Sequence, residues 1–285
     1  MELSTLLQYK PYSTARTEKR ALYAGLLTEL TQFHREHCPE YGRLLDALGC
    51  PAHMDCTVES TPMLPVSLFK ELELRSIPEG EVFKTLTSSG TTGQRVSRIF
   101  LDGATSACQQ QALCQIMSDF LGERRLPFLV LDSRQVLRNR AMFSARGAGI
   151  LGFSIFGTRP CYALDEHMEL DLDGVRAFLE EHQGETIFLF GFTFIIWKHV
   201  VRALEERGER LDIPNGILVH GGGWKKLAGE AVSPGEFKAR VAAATGVERV
   251  SNYYGMAEQT GCIYMECPQG HLHASCLLYT SPSPR

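Results

Sequence analysis

An α/β fold, with a largely parallel sheet and helices covering its faces, is predicted by three features of the sequence. From residue 82 onward, short apolar segments of strand length alternate with helical segments. Phe128-Leu129-Val130-Leu131 is a continuous apolar run, the pattern of a strand buried on both faces. Loops rich in glycine follow several of these strands, and ligands of parallel sheets gather at the carboxyl ends of strands.

The elements follow in order. Residues 18–37 carry Leu22, Leu26, Leu27, Leu30 and Phe33 at helical spacing. Cys38-Pro39 ends that helix, because the residue before proline avoids helical backbone. Residues 41–48 form a second short helix, closed by Gly49 and Pro51, and residues 50–65, with three prolines and no periodicity, form a loop. Strands are expected at 82–87 and 96–101, then a helix at 104–120 with Leu113, Ile116, Met117 and Phe120 on one face. Strands follow at 128–131 and 152–156, a helix at 170–182 and a strand at 186–190. A helix at 194–207, a strand at 216–220, a helix at 234–244 and a strand at 249–253 complete the pattern.

Composition narrows the function. The 285 residues are 44% hydrophobic and 22% charged, which is globular rather than disordered. A net charge of −4 argues against nucleic-acid binding through a basic surface. The mean hydropathy of −0.11 argues against a polytopic membrane protein. The longest apolar run, residues 187–197, is too short for a spanning helix, so no transmembrane segment is expected. Nine scattered cysteines and an N-terminus without a secretory pattern suggest a reduced, cytoplasmic protein.

Three loops carry the candidate chemistry. Ser88-Ser89-Gly90-Thr91-Thr92-Gly93-Gln94 offers four hydroxyls and a run of backbone N–H groups, suited to a polyphosphate. It is not a Walker A loop, since no Gly-Lys-Ser/Thr closes it; the plain alternative is a hairpin turn. Tyr253-Tyr254-Gly255-Met256-Ala257-Glu258-Gln259 ends a strand. An aromatic face there can stack on a purine, and a carboxylate near polyphosphate can hold Mg²⁺. The alternative is a strand end with a solvated glutamate. His220-Gly221-Gly222-Gly223-Trp224-Lys225-Lys226 brings bare backbone to a strand end, where it can approach a flat ligand, or is simply a strand-to-helix turn with solvated lysines.

The first string resembles the phosphate loop of the adenylate-forming ligases, and Tyr254 to Glu258 resembles that family's Tyr-Gly-x-Thr/Ser-Glu signature. The resemblance implies that Ser88, Ser89, Gly90, Thr91, Thr92 and Gly93 grip ATP phosphates. It places Gly221, Gly222 and Gly223 beside adenine, stacks Tyr254 on the base and gives Mg²⁺ to Glu258. Catalytic roles then fall to Thr91, Thr92 and Glu258. Two departures stand out. Arg95 and Val96 occupy the places of the family's Pro-Lys, leaving Arg95 or Arg98 as the stand-in cation, and Ala257 replaces a hydroxyl.

Phe69-Lys70, residues 85–93, Arg98-Ile99-Phe100-Leu101-Asp102, residues 220–227 and residues 254–259 together resemble the acyl-protein synthetases of the LuxE type. This implies ATP-dependent activation of a long-chain fatty acid as acyl-AMP. The acyl group would pass to a cysteine near the C-terminus and on to a reductase or other acyl-carrying subunit. The same-class alternative is an acyl- or aryl-CoA ligase, and a second alternative is a non-catalytic nucleotide- or acyl-binding domain.

By this resemblance, residues 1–63 are a helical segment packing on the main domain and residues 64–275 are the adenylate-forming large domain. The family's small C-terminal domain, with its lysine, and a ribose-binding aspartate cannot be placed. The resemblance thus implies a truncated large domain that binds nucleotide weakly and turns over little, with the acceptor cysteine beyond the residues present. Residues 276–285, with Ser-Pro-Ser-Pro, read as adapter or vector read-through or as a disordered tail. Residues 187–197 are either an acyl pocket, with Gly191-Phe192-Thr193 facing ligand, or plain core. Cys262, Cys267, His271, His273 and Cys276 are either unrelated residues of a polar loop or zinc ligands.

Overall fold

The computed structural model, which describes residues 7–88, 95–138 and 145–275, has the α/β architecture expected, divided between two units. The first comprises Met1–Asp119, Gly255–Tyr264 and Ala274–Arg285. The second comprises Phe120–Tyr254 and Met265–His273.

In the first unit, the helix Arg16–His37 buries Tyr23 and Leu26 among Leu22, Leu27 and Val58. Phe33, at the same spacing, is exposed instead and stacks on His37 at 4.2 Å. A second helix, Pro39–Ala47, starts on its proline, where no N–H is needed. The loop 50–65 is tied back to the first helix: the Cys56 N–H donates to Thr28 Oγ1 at 2.8 Å. Strands β1 (Lys84–Thr87) and β2 (Arg98–Leu101) pair antiparallel, with Thr87 opposite Arg98. Asp102 Oδ1 then accepts the Thr105 N–H at 2.6 Å, opening the helix Gly103–Leu121.

Most of the main sheet belongs to the second unit. Its strands are β3 (Leu126–Ser133), β4 (Gly157–Leu164), β5 (Ile187–Phe192), β6 (Gly216–Gly221), β7 (Arg249–Gly255), β8 (Ile263–Glu266) and β9 (Leu272–Ala274). Their order is β4-β3-β5-β6-β7-β8-β9, and the pairs from β4 through β7 are all parallel. Every residue of β5 and β6 is buried, as is β3 after its first residue. Helices therefore cover both faces. Phe128 of β3 stacks on its register partner Phe188 of β5, with centroids 4.9 Å apart.

Crossovers begin and end on recognisable caps. Asp171 Oδ1 accepts the Gly174 N–H at 3.0 Å at the start of helix Leu172–Glu181. Ser233 Oγ does the same for Glu236 at the start of Pro234–Thr245, which ends on Gly246 at φ +74°. The helix expected at 194–207 is present, but Ile196–Val201 within it is a π-helical turn.

One expected strand is corrected. Residues 152–156 are the end of a helix, Ala145–Phe153, and a 3-10 turn, Ser154–Phe156; the strand is the next segment, β4. Arg159 and Pro160 hide it from pattern reading. Proline has no N–H for a ladder, and β4 tolerates it because it is an edge strand. The register also shifts between Phe128 and its neighbours here, and Arg159 takes φ +44° in the bulge.

Gly157 starts β4 against Phe128, where an added Cβ would stand 2.5 Å from the Phe128 Cβ. Gly157→Ala is expected to destabilise the protein by about 1–3 kcal/mol through overpacking at this edge. A chemical denaturation midpoint equal to wild type would contradict that packing.

Candidate functional site

The carboxyl end of β6, in the second unit, carries the expected glycine loop. Phe192, Gly221 and Tyr253 are register partners across β5, β6 and β7. A Cβ on Gly221 would stand 2.3 Å from the Tyr253 ring, and one on Gly222, at φ +76°, would stand 2.7 Å from the Phe192 ring. These two glycines admit the protein's own aromatic rings. Gly223, exposed and with nothing within 4 Å of a built Cβ, is the position left open.

Thr193 holds the loop from behind. Its buried hydroxyl lies 2.9 Å from the Gly222 carbonyl, 3.2 Å from the Gly221 carbonyl and 2.9 Å from His220 Nδ1. A hydroxyl has one proton, and the carbonyls can only accept it. The imidazole therefore donates from Nδ1 to Thr193 Oγ1. Burial first, and then the nearby Lys238 ammonium, push His220 down to about 3, so the ring is neutral. Trp224 anchors the far side of the loop against Trp197, 5.4 Å away, and Phe237, 6.3 Å away. Neither Thr193 nor His220 was marked as a loop-shaping residue by the sequence. The signal was a hydroxyl directly after one strand end and a histidine at the next.

Residues 187–197 are core: all of β5 is buried, as are Thr193, Ile195, Ile196 and Trp197. Gly191-Phe192-Thr193 packs inward rather than lining an open acyl pocket. Tyr253 and Tyr254 point opposite ways, as strand alternation requires. Tyr253 packs on Phe153 at 5.0 Å, and burial pushes its hydroxyl up to about 12. Tyr254 is 49% exposed.

Ser88 and Glu258 belong to the first unit. Ser88 closes the β1–β2 hairpin: its N–H donates to the Ser97 carbonyl at 3.2 Å, and its hydroxyl accepts the Ser97 N–H at 2.9 Å. Ser89, Gly90, Thr91, Thr92 and Gly93 lie outside the described residues. Of the two stand-in cations, Arg98 lies 3.4 Å from Glu73 and stacks over Phe100, whereas Arg95 is exposed and pairs with no described residue. Glu258 is half-buried in the turn after β7, and no described cation pairs with it. Its neighbour Gln259 donates from Nε2 to the Tyr264 hydroxyl at 3.0 Å. A half-buried carboxylate without a cation is a hard oxygen donor of the kind Mg²⁺ takes, so this residue fits the metal. Among the described residues no three His, Cys, Asp or Glu side chains come together to hold a metal ion, Cys262, Cys267, His271 and His273 included. The eight described cysteines are all free thiols. No described helix is long and apolar enough to cross a membrane.

Comparison with solved structures shows the fold. The chain is similar to 2-hydroxyisobutyryl-CoA ligase in complex with 2-HIB-AMP and CoA in the thioesterification state, with a TM-score of 0.62 at 18% identity. That match covers 95% of this chain and 57% of the other. The same ligase in the postadenylation state, with R3-HIB-AMP, gives 0.57 at 15% identity over 92% and 58% of the two chains. The fold is that of the adenylate-forming ligases, and this chain spans less than three fifths of the length of those two relatives. No curated protein sequence matches it. The sequence model of the acyl-protein synthetases, LuxE, matches residues 2–280, and the chain belongs to that family.

The buried imidazole makes stability depend on pH. His220 titrates near 6.5 when exposed and near 3 when folded, so the unfolded chain binds more protons between those values. Its contribution is fully present above about 6.5 and is lost as pH falls toward 3. In denaturant titrations, wild type is therefore expected to lose more stability than His220→Gln between pH 7.5 and roughly pH 4.5. Parallel losses in the two proteins would show that the ring is not buried neutral.

Proposed function

We propose that this protein activates a carboxylic acid with ATP and passes the acyl group to a protein thiol. Membership of the acyl-protein synthetase family across residues 2–280 carries this reading. A fold relative crystallised with an acyl-AMP supports its first half.

In the first step a carboxylate oxygen attacks the α-phosphorus of ATP and the bond to the β-phosphate oxygen breaks, giving acyl-AMP and pyrophosphate. In the second, a thiol sulfur attacks the acyl carbonyl carbon, AMP leaves and the thiol proton passes to a base. The loop at Ser89, Gly90, Thr91, Thr92 and Gly93 is assigned to the phosphates, with Ser88 shaping its root. Tyr254, exposed at a strand end, is assigned to adenine, and Gly223 gives the base open backbone to lie on. Gly221 and Gly222 contribute indirectly, by letting Tyr253 and Phe192 close beneath the loop. Glu258 would hold Mg²⁺, which would supply charge neutralisation at the phosphates. A long-chain fatty acid is the assigned substrate class, a reductase or acyl-carrying subunit the assigned partner, and the cytoplasm the assigned compartment.

Labelled pyrophosphate is expected to pass into ATP only when an acid such as hexadecanoate is supplied, measured with stoichiometric protein. No exchange across a panel of carboxylic acids removes the reading. Product that needs CoA rather than a protein thiol would convert it to a CoA ligase. Glu258→Gln is expected to cut Mg²⁺-dependent exchange at least ten-fold while leaving the unfolding midpoint unchanged, as for loss of a charged ligand worth about 1.5–3 kcal/mol. Tyr254→Ala is expected to weaken ATP binding about five-fold or more, as loss of a stacking face worth about 1–3 kcal/mol requires. Unaltered ATP affinity in that variant, read by calorimetry, would free Tyr254 from the assignment.

A further inference from the structure

A second polar cluster lies at the carboxyl ends of β3 and β4, on the same edge of the parallel sheet as the glycine loop of β6. Asp132, near the end of β3, is 0% exposed. Its two oxygens are taken up by Arg146: Nε donates to Oδ2 at 2.9 Å and one Nη donates to Oδ1. The Ser133 N–H adds a third bond to Oδ1 at 2.7 Å. Arg146 sits in the first turn of Ala145–Phe153, a helix that packs on β5 through Gly149 beneath Phe190 and Phe192. Arg146 keeps 23% of its side chain exposed, and no described residue accepts from its other Nη.

Three backbone irregularities converge on this cluster. The β3–β4 register slips by one residue between Val130 and Ser133, which puts Asp132 in a β-bulge. His199 lies on the π-helical turn Ile196–Val201 and donates from Nδ1 to the Met168 carbonyl at 2.8 Å. Met168 itself takes φ +66°, unusual for a residue with a Cβ, and its sulfur lies 3.8 Å from an Arg146 Nη. Burial lowers the His199 pKa, the Met168 carbonyl raises it, and Lys198 and Arg146 lower it further; Asp132 raises it. Bulges, π-turns and left-handed residues each cost free energy and collect where a side chain must be aimed.

Stability alone does not account for the pair. A buried ion pair pays heavily in desolvation, and an apolar pair of similar volume is often as stable or more so. What the pair provides is a guanidinium fixed on one edge by a buried carboxylate, with one Nη from which no described residue accepts. A guanidinium of that kind receives carboxylate or phosphate oxygens.

We propose that Arg146 is a substrate-binding residue that receives an anionic oxygen, with Asp132 as its positioning residue. This rests on the adenylation reading, which supplies two sources for that oxygen: the carboxylate of the acid or a phosphate of ATP. Removing Arg146 alone would strand a buried carboxylate, so the informative variant is the double exchange Asp132→Asn with Arg146→Gln. That variant is expected to unfold near the wild-type midpoint and to bind adenosine as wild type does. Its affinity for one anionic probe should fall about ten-fold or more, the size expected for a lost charge-assisted contact. Loss confined to hexadecanoate identifies the acid carboxylate, and loss confined to ATP identifies a phosphate. Wild-type affinity for both probes in the folded double variant overturns the proposal and leaves the adenylation reading standing. A wild-type protein that binds neither ATP nor hexadecanoate overturns both. Phenylglyoxal labelling of Arg146 in wild type, located by mass spectrometry, gives a readout that needs no variant. Protection by ATP or by hexadecanoate is expected, and labelling unchanged by either overturns the proposal.

Discussion

Burial of β3, β5 and β6 on both faces governs the second unit. A strand with helices above and below has no wet face, so polar side chains are admitted only at its ends or where a partner is built for them. Asp132 lies one residue before the end of β3, Thr193 directly after β5 and His220 one residue before the end of β6. All three are buried, and all three are hydrogen-bonded. Parallel pairing from β4 through β7 puts these ends on one edge. The chemistry-bearing edge is thus a consequence of how the core is covered.

Aromatic packing sets the finer shape of that edge. Phe153 stacks on Phe190 at 4.4 Å and meets Tyr253 at 5.0 Å, while Phe192 and Tyr253 occupy the space that side chains at Gly222 and Gly221 would need. The glycine run therefore has two functions in one string. Gly221 and Gly222 close the layer of rings, and Gly223 leaves backbone uncovered. Trp224, next in the chain, fixes the loop to the helices that follow β5 and β6 through Trp197 and Phe237.

The first unit works by different means. Its hairpin is held by Ser88 and Ser97 in addition to the ladder, so a hydroxyl read as a phosphate contact is also a structural acceptor. The arginine directly on β2 is engaged by Glu73 and Phe100, which leaves Arg95 as the cation near the loop without a described partner. Glu258, half-buried and unpaired by any described cation, differs from Glu266, which is buried against Lys238 at 2.9 Å and accepts the Asn252 N–H at 2.8 Å. The second glutamate is a structural ion pair, whereas no described cation stands against the first.

The sequence by itself determined the alternation of helices and strands, the family and the strings that identify it. All of these depend on spacing within a few residues, or on short motifs that local backbone chemistry requires. It did not reveal β4, because Arg159 and Pro160 break the apolar pattern and only an edge position with a bulge makes them tolerable. It suggested that Gly221 and Gly222 face ligand, because the rings that fill their space come from residues about 30 positions away on either side. It gave no sign of Asp132 and Arg146 as a pair, or of Thr193 and His220 as supports of the loop. Those relations exist only once parallel strands distant in sequence are brought into register, since a hydrogen bond between residues 27 positions apart leaves no local periodicity to read.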